Sequence, residues 1–217
     1  MRWEDDRFTK WEQKWLDSIV ADICLLRTHK AIFYEVHALL PHPPQSGPRR
    51  NEFEEFVHDA YVALMVSDIR RQGRSDPSTS SLARLLDEIS AAPTVLSRAR
   101  FVALHTDKER GAAAWKALIT THFAGRGSEH VDPYLVKQDL EALKDEVRKV
   151  EAYAERYFGQ RAQRSSHLQE RAAHQELDES GAWLFALVQK YHVLFRATAL
   201  TPSLLSSDWK AMFRGSE

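Results

Sequence analysis

The residues of this chain best suited to chemistry lie between Arg156 and Arg171, where Arg156, Arg161, Arg164 and Arg171 stand against the single acid Glu170, with His167 among them. An arginine guanidinium presents a planar fork of N–H donors that matches a phosphate, and a histidine gives or takes a proton near neutral pH. Arg161 and His167 are therefore a candidate pair for cleaving a phosphodiester, and Arg156, Arg164 and Arg171 are candidates for holding a phosphate backbone. The plainer alternative makes Arg161 and Arg164 solvated cations favoured by the dipole at a helix C-terminus, and His167 a surface residue.

Spacing sets a condition on the pair. Val136, Leu140, Leu143, Val147, Val150, Ala154 and Tyr157 recur at intervals of four and three, one buried stripe of a helix, and the next position in that series is Arg161. A cation at the end of an apolar seam requires an anion, a polar cleft or solvent, because burying it unpaired is costly. At about 100° per residue, Arg161 and His167 on one unbroken helix would point roughly 120° apart. Either the helix ends between them, as Ser165 and Ser166 permit, or a second copy of the chain completes the site.

The elements that must position these residues are all helical. Phe8, Trp11, Trp15, Ile19, Ile23, Leu26, Phe33 and Leu40 predict a long first helix from Asp5 to Leu40, ended by the Pro-rich stretch 41–50, an expected exposed loop. Asn51 is a good N-cap for a second helix with Phe53, Phe56, Val57, Ala60, Leu64 and Ser67 on one face, running to the Gly73 region. Leu82, Leu85, Leu86 and Ile89 mark a short third helix, separated by Pro93 from stretches at Thr94–His105 and Lys108–Phe123. Asp132 as cap and Pro133 as first residue start the long seam helix. A polar segment from Leu168 to Ser180 then precedes a last helix built on Trp183, Leu184, Leu187, Val188, Tyr191 and Phe195, with a short terminal piece around Trp209 and Phe213. Nothing alternates as strands do, so the fold class is all-α, a helical bundle.

Composition narrows the function classes. Among 217 residues, 30 basic against 31 acidic side chains leave a net charge of -1, so any contact with nucleic acid is local rather than drawn by a global field. Cys24 is the only cysteine, which excludes an intramolecular disulfide and a cysteine-rich zinc site. A charged opening, Met1 to Asp6, and the lack of a long apolar run predict a cytoplasmic protein with neither an export signal nor a membrane span.

Other candidate sites are weaker. Glu55 and His58 have the Glu-x-x-His spacing of di-iron bundles, but such sites need two copies and the chain has one. His29 and His37 lie about two turns apart on the first helix, where Lys30 and His37 intrude on its apolar period as boundary positions or a shallow polar groove, and His122 and His130 bracket a glycine turn without a ligand pattern. No residue is assigned to a metal or cofactor.

An arginine followed after four to six residues by a histidine, near the end of an apolar-striped helix, resembles the HEPN superfamily of helical ribonucleases and nucleotide-binding proteins. The aromatic first helix, the turn Arg70-Arg71-Gln72-Gly73-Arg74-Ser75-Asp76-Pro77 and the leucine-rich Ser81–Leu86 segment are similar to its abortive-infection, AbiU-type branch. The resemblance implies one HEPN-like domain over 1–217, metal-independent RNA cleavage with Arg161 and His167 catalytic, and Arg164 as the basic residue inside the motif. It also implies a homodimer whose two motifs share a cleft, and a setting in phage defence or a toxin–antitoxin pair with a neutralising partner. Ala162 departs from the polar residue usual after the motif arginine. That departure favours the alternative of a catalytically silent binding module; a purely structural interaction protein is the third reading.

Overall fold

The computed structural model of the chain describes residues 2–39, 52–106, 128–159 and 167–200, with residues 2, 105, 106 and 167–173 described in backbone only. The Pro-rich stretch 41–50, the expected helix at Lys108–Phe123 and the terminal piece around Trp209 and Phe213 lie outside those residues. Among the described residues there are helices and no strands, so the all-α expectation holds.

The first helix runs in three parts, α1 (Arg2–Lys10), a π-helical turn (Trp11–Leu16) and α2 (Asp17–Leu39). The π turn has a reason in the sequence. Trp11, Trp15, Ile19 and Ile23 are spaced by fours, and on a regular α-helix three such steps rotate the apolar face by about 120°. A wider turn at Trp11–Leu16 restores the phase, so Trp11, Trp15, Leu16, Ile19, Ile23, Leu26 and Phe33 are all buried.

α3 (Glu52–Gln72) corrects the expected face. Its buried residues are His58, Tyr61, Val62, Met65, Val66, Asp68, Ile69 and Gln72, whereas Phe53, Phe56 and Leu64 are exposed. The true stripe keeps the helical period but passes through three polar positions, which an apolar count skips.

α4 (Leu82–Ala91) buries the predicted leucines and is capped by Ser81, whose Oγ accepts the Arg84 N–H at 3.3 Å. A 3₁₀ turn (Pro93–Val95) leads to α5 (Arg98–Thr106). Backbone bonds from Arg98 N to Glu129 O and from Val131 N to Leu96 O tie this region to the start of α6 (Pro133–Gly159). Asp132 caps α6 as expected, its Oδ1 accepting the Tyr134 N–H at 2.8 Å.

The last helix, α7 (His167–Arg196), takes in the segment read as a polar lead-in. Glutamine, glutamate, alanine and arginine are strong helix formers, and polarity alone does not stop a helix. α2, α3, α6 and α7 form the bundle, with α4 laid along α6. Their buried side chains make one contiguous core. No described helix is long and apolar enough to cross a membrane.

Candidate functional site

The chemistry-bearing side chains gather at one end of the bundle. There the last turns of α2 and α6 meet the first turns of α3 and α7. Phe33 is the hub: its ring stacks on Tyr61 with centroids 4.1 Å apart and meets His58, His174 and Tyr34 edge-on at 5.1, 5.2 and 5.1 Å. This aromatic wall holds the polar groups around it in fixed orientations.

His58 and His174 form a buried pair, with His58 Nδ1 2.7 Å from His174 Nε2 and both rings under a tenth exposed. At that separation one nitrogen must carry a proton and the other must accept it, so the tautomers of the two rings are coupled. The chain continues from His174 Nδ1 to the Tyr153 hydroxyl at 3.2 Å. Four helices contribute to this end of the bundle, and the relay alone joins α3, α7 and α6.

Beside the relay, Asp178 of α7 accepts hydrogen bonds from the Tyr61 hydroxyl at 2.5 Å and from the Tyr34 hydroxyl, and Lys30 Nζ lies 3.2 Å from the same carboxylate. Burial first, then the bond to Asp178 and its negative charge, hold the Tyr61 phenol far above the ordinary tyrosine range. Tyr61 is therefore a fixed donor at neutral pH.

At the rim, His37 of α2 and Glu54 of α3 approach His58. One ligand-capable atom from each of the three lies within 4.8 Å of the other two. His37 and Glu54 are half-buried and His58 is buried.

On the other side of Tyr153, a groove of about 350 Å³ runs between α6 and α7. Arg156 lines it with Lys149, Glu146, Glu176 and Ser180. Arg156 Nη2 is paired with Glu176 Oε2 at 2.7 Å, both side chains being exposed, so it does not stand as an isolated cation.

Of the residues singled out in sequence, Arg156 is thus in the last turn of α6, beside the relay. Arg161 and Arg164 lie outside the described residues. His167 is the first residue of α7 and Arg171 follows one turn later, their side chains not described. α6 is described as far as Gly159 and α7 from His167, and the backbone that joins Arg161 to His167 lies outside the described residues. Comparison with family models, curated proteins and solved structures finds no match to this chain.

Several residues of the cluster escaped sequence reasoning. His58 was weighed with Glu55, three residues before it, whereas Glu54, one full turn before it, shares its site. His37, by its spacing a boundary position or part of a shallow polar groove, faces His58 with ring centroids 5.3 Å apart. His174 carried a usable signal: counting back from Leu184 through Leu177 by the core interval lands on it, as for any core residue of α7. Tyr153 and Asp178 carried none, since only packing brings them to the histidines.

Proposed function

We propose that this chain is a metal-independent ribonuclease of the helical HEPN type, with Arg161 and His167 as its catalytic residues. The observation that carries the reading is the basic stretch itself, four arginines against one acid from Arg156 to Arg171 with His167 among them. Arg156 stands in the last turn of α6 (Pro133–Gly159) and His167 opens α7 (His167–Arg196), the described helices that flank the motif in the chain. His167 also stands two turns before His174 on α7, the helix that supplies one half of the buried histidine pair.

In this mechanism His167 takes the proton of a ribose 2′-hydroxyl or gives one to the leaving oxygen, and Arg161 neutralises charge building on the phosphate. Arg156, Arg164 and Arg171 hold neighbouring phosphates, Arg156 exchanging Glu176 for RNA. A symmetric dimer would bring two motifs into one cleft. A cytoplasmic role in phage defence, or as a toxin held by a neutralising partner, belongs to the same proposal.

The test is cleavage of assorted RNAs by the purified full chain in chelator. Wild-type protein is expected to cut, and His167→Ala and Arg161→Ala are each expected to lower the rate by about 10²–10⁴. Cutting that survives both substitutions overturns the assignment. The second reading, a binding module without catalysis, is favoured by Ala162; it predicts RNA binding that weakens with salt and with Arg156→Ala, and no cleavage.

A further inference from the structure

We propose that His37, Glu54 and His58 form a binding site for one divalent transition-metal ion, zinc being the best match. Glu54 and His58 are one turn apart on α3 and so share a face, and His37 comes from the last turns of α2 opposite them. Their ligand atoms all lie within 4.8 Å of one another. Around zinc at 2.0–2.2 Å, tetrahedral ligand atoms sit about 3.4 Å apart, so each side chain needs to move inward by only about 1 Å.

The donor set decides the ion. Two imidazoles and a carboxylate suit zinc, cobalt or nickel, whereas magnesium and calcium prefer oxygen ligands alone. Three protein ligands leave a fourth position for water, and the half-buried His37 and Glu54 give the ion a path from solvent to the buried His58.

The surroundings match what metal-bound histidines require. A ligand imidazole uses its second nitrogen to hold a hydrogen bond that fixes its orientation. His58 meets that need with Nδ1 at 2.7 Å from His174 Nε2, and His174 is held in turn by Tyr153. Metal at His58 Nε2 keeps the proton on Nδ1, which then donates to His174 Nε2. His174 accordingly carries its own proton on Nδ1, toward the Tyr153 oxygen. Loading the ion would therefore select one tautomer along the whole relay. Phe33 packs against both His37 and His58, with ring centroids 6.0 and 5.1 Å away, and holds the imidazoles close together before the ion arrives.

This site is independent of the ribonuclease reading, because its readout needs no RNA and that assay is run in chelator. The full untagged chain is stripped with chelator and titrated calorimetrically with zinc chloride. A parallel titration follows the visible absorption of cobalt(II), which is intense only in a four-coordinate site. One ion per chain is expected. His37→Gln and Glu54→Gln, both at the rim, are expected to weaken zinc by about 100-fold or more, and Tyr153→Phe, which only supports the relay, by up to about tenfold. Glu55→Gln, the neighbour outside the site, is expected to stay within threefold of wild type. Circular dichroism of the stripped variants checks that they remain folded. Absence of stoichiometric binding, or binding that His37→Gln and Glu54→Gln leave within threefold of wild type, overturns the proposal. So does a Glu55→Gln loss as large as that of Glu54→Gln.

Discussion

Gln72 is fully buried at the end of α3 and uses both ends of its amide. Its Nε2 donates to Asp22 Oδ2 at 2.8 Å and its Oε1 accepts the Leu82 N–H at 3.1 Å, one of the donors that the start of α4 cannot satisfy within the helix. One side chain therefore joins α2, α3 and α4. Burial, as the largest influence, holds the Asp22 carboxyl above the ordinary aspartate range, against the lowering effects of Arg71 and of the Gln72 bond. Replacing Gln72 with Leu keeps the volume but strands a buried N–H and removes a donor from Asp22. A loss of about 1–3 kcal/mol is expected, read as a lower urea midpoint at unchanged slope. A midpoint within 0.3 M of wild type, roughly the error of such fits, would show that water replaces the amide. The same logic governs His58, Asp68 and His174: each is a polar residue on a buried stripe with a partner on another helix, as His29 Nδ1 is for Asp68 Oδ2 at 3.1 Å. In sequence such residues look like interruptions, because the partner that makes burial tolerable is distant along the chain.

Between elements, the α3 terminus lies close against α6 at Gly73. A methyl group added at Gly73 would lie 2.6 Å from Val147 Cγ2, a separation that real side chains do not tolerate. Val147 is β-branched and cannot swing away cheaply. Gly73→Ala is expected to destabilise by about 1–3 kcal/mol, and Val147→Ala in the same chain to recover much of that. A double-mutant cycle checks it; a coupling below about 0.5 kcal/mol would mean that the helices part instead of the side chains clashing. The start of α6 was the most legible point of the chain, since Asp132 caps it and Pro133 is its first residue, whereas the Ser81 cap of α4 emerged only from the structure. The π turn and the full length of α7 were less legible. The first depends on keeping two tryptophans on one face, and the second on polar residues that are good helix formers buried on one side by Leu177 and His174.

Across the molecule, two buried phenols set an alkaline limit. Tyr61 is held above the ordinary tyrosine range by burial and then by Asp178, and Tyr191 by burial and then by Asp139, whose Oδ2 accepts its hydroxyl at 2.6 Å. A folded-state pKa raised above the unfolded value of about 10 contributes stability fully present below that pH and lost as pH rises past it, because the unfolded phenol ionises first. Stability is expected to be insensitive to these groups up to about pH 9, then to fall by up to about 1.4 kcal/mol per pH unit for each tyrosine. Urea unfolding from pH 8 to 11 measures this. Tyr61→Phe and Tyr191→Phe should each flatten the alkaline limb, and an unchanged limb in both would place the loss elsewhere.

Sequence alone determined that the chain is helical, where α4 and α6 begin, and that the α6 seam buries Val136, Leu140, Leu143, Val150 and Tyr157. These follow from period, capping and backbone chemistry, all of which act within a few residues. It also singled out Arg156 to Arg171 as the basic stretch and required there either a helix end or a second copy of the chain, a constraint of rotation per residue. Only the tertiary structure decided that α3 turns His58 inward, that His174 meets it, and that His37 and Glu54 close on the same point. The physical reason is that burial of a polar side chain is decided by its partner. His58 and His174 are 116 residues apart, and no local pattern encodes a contact that exists only once four helices have packed.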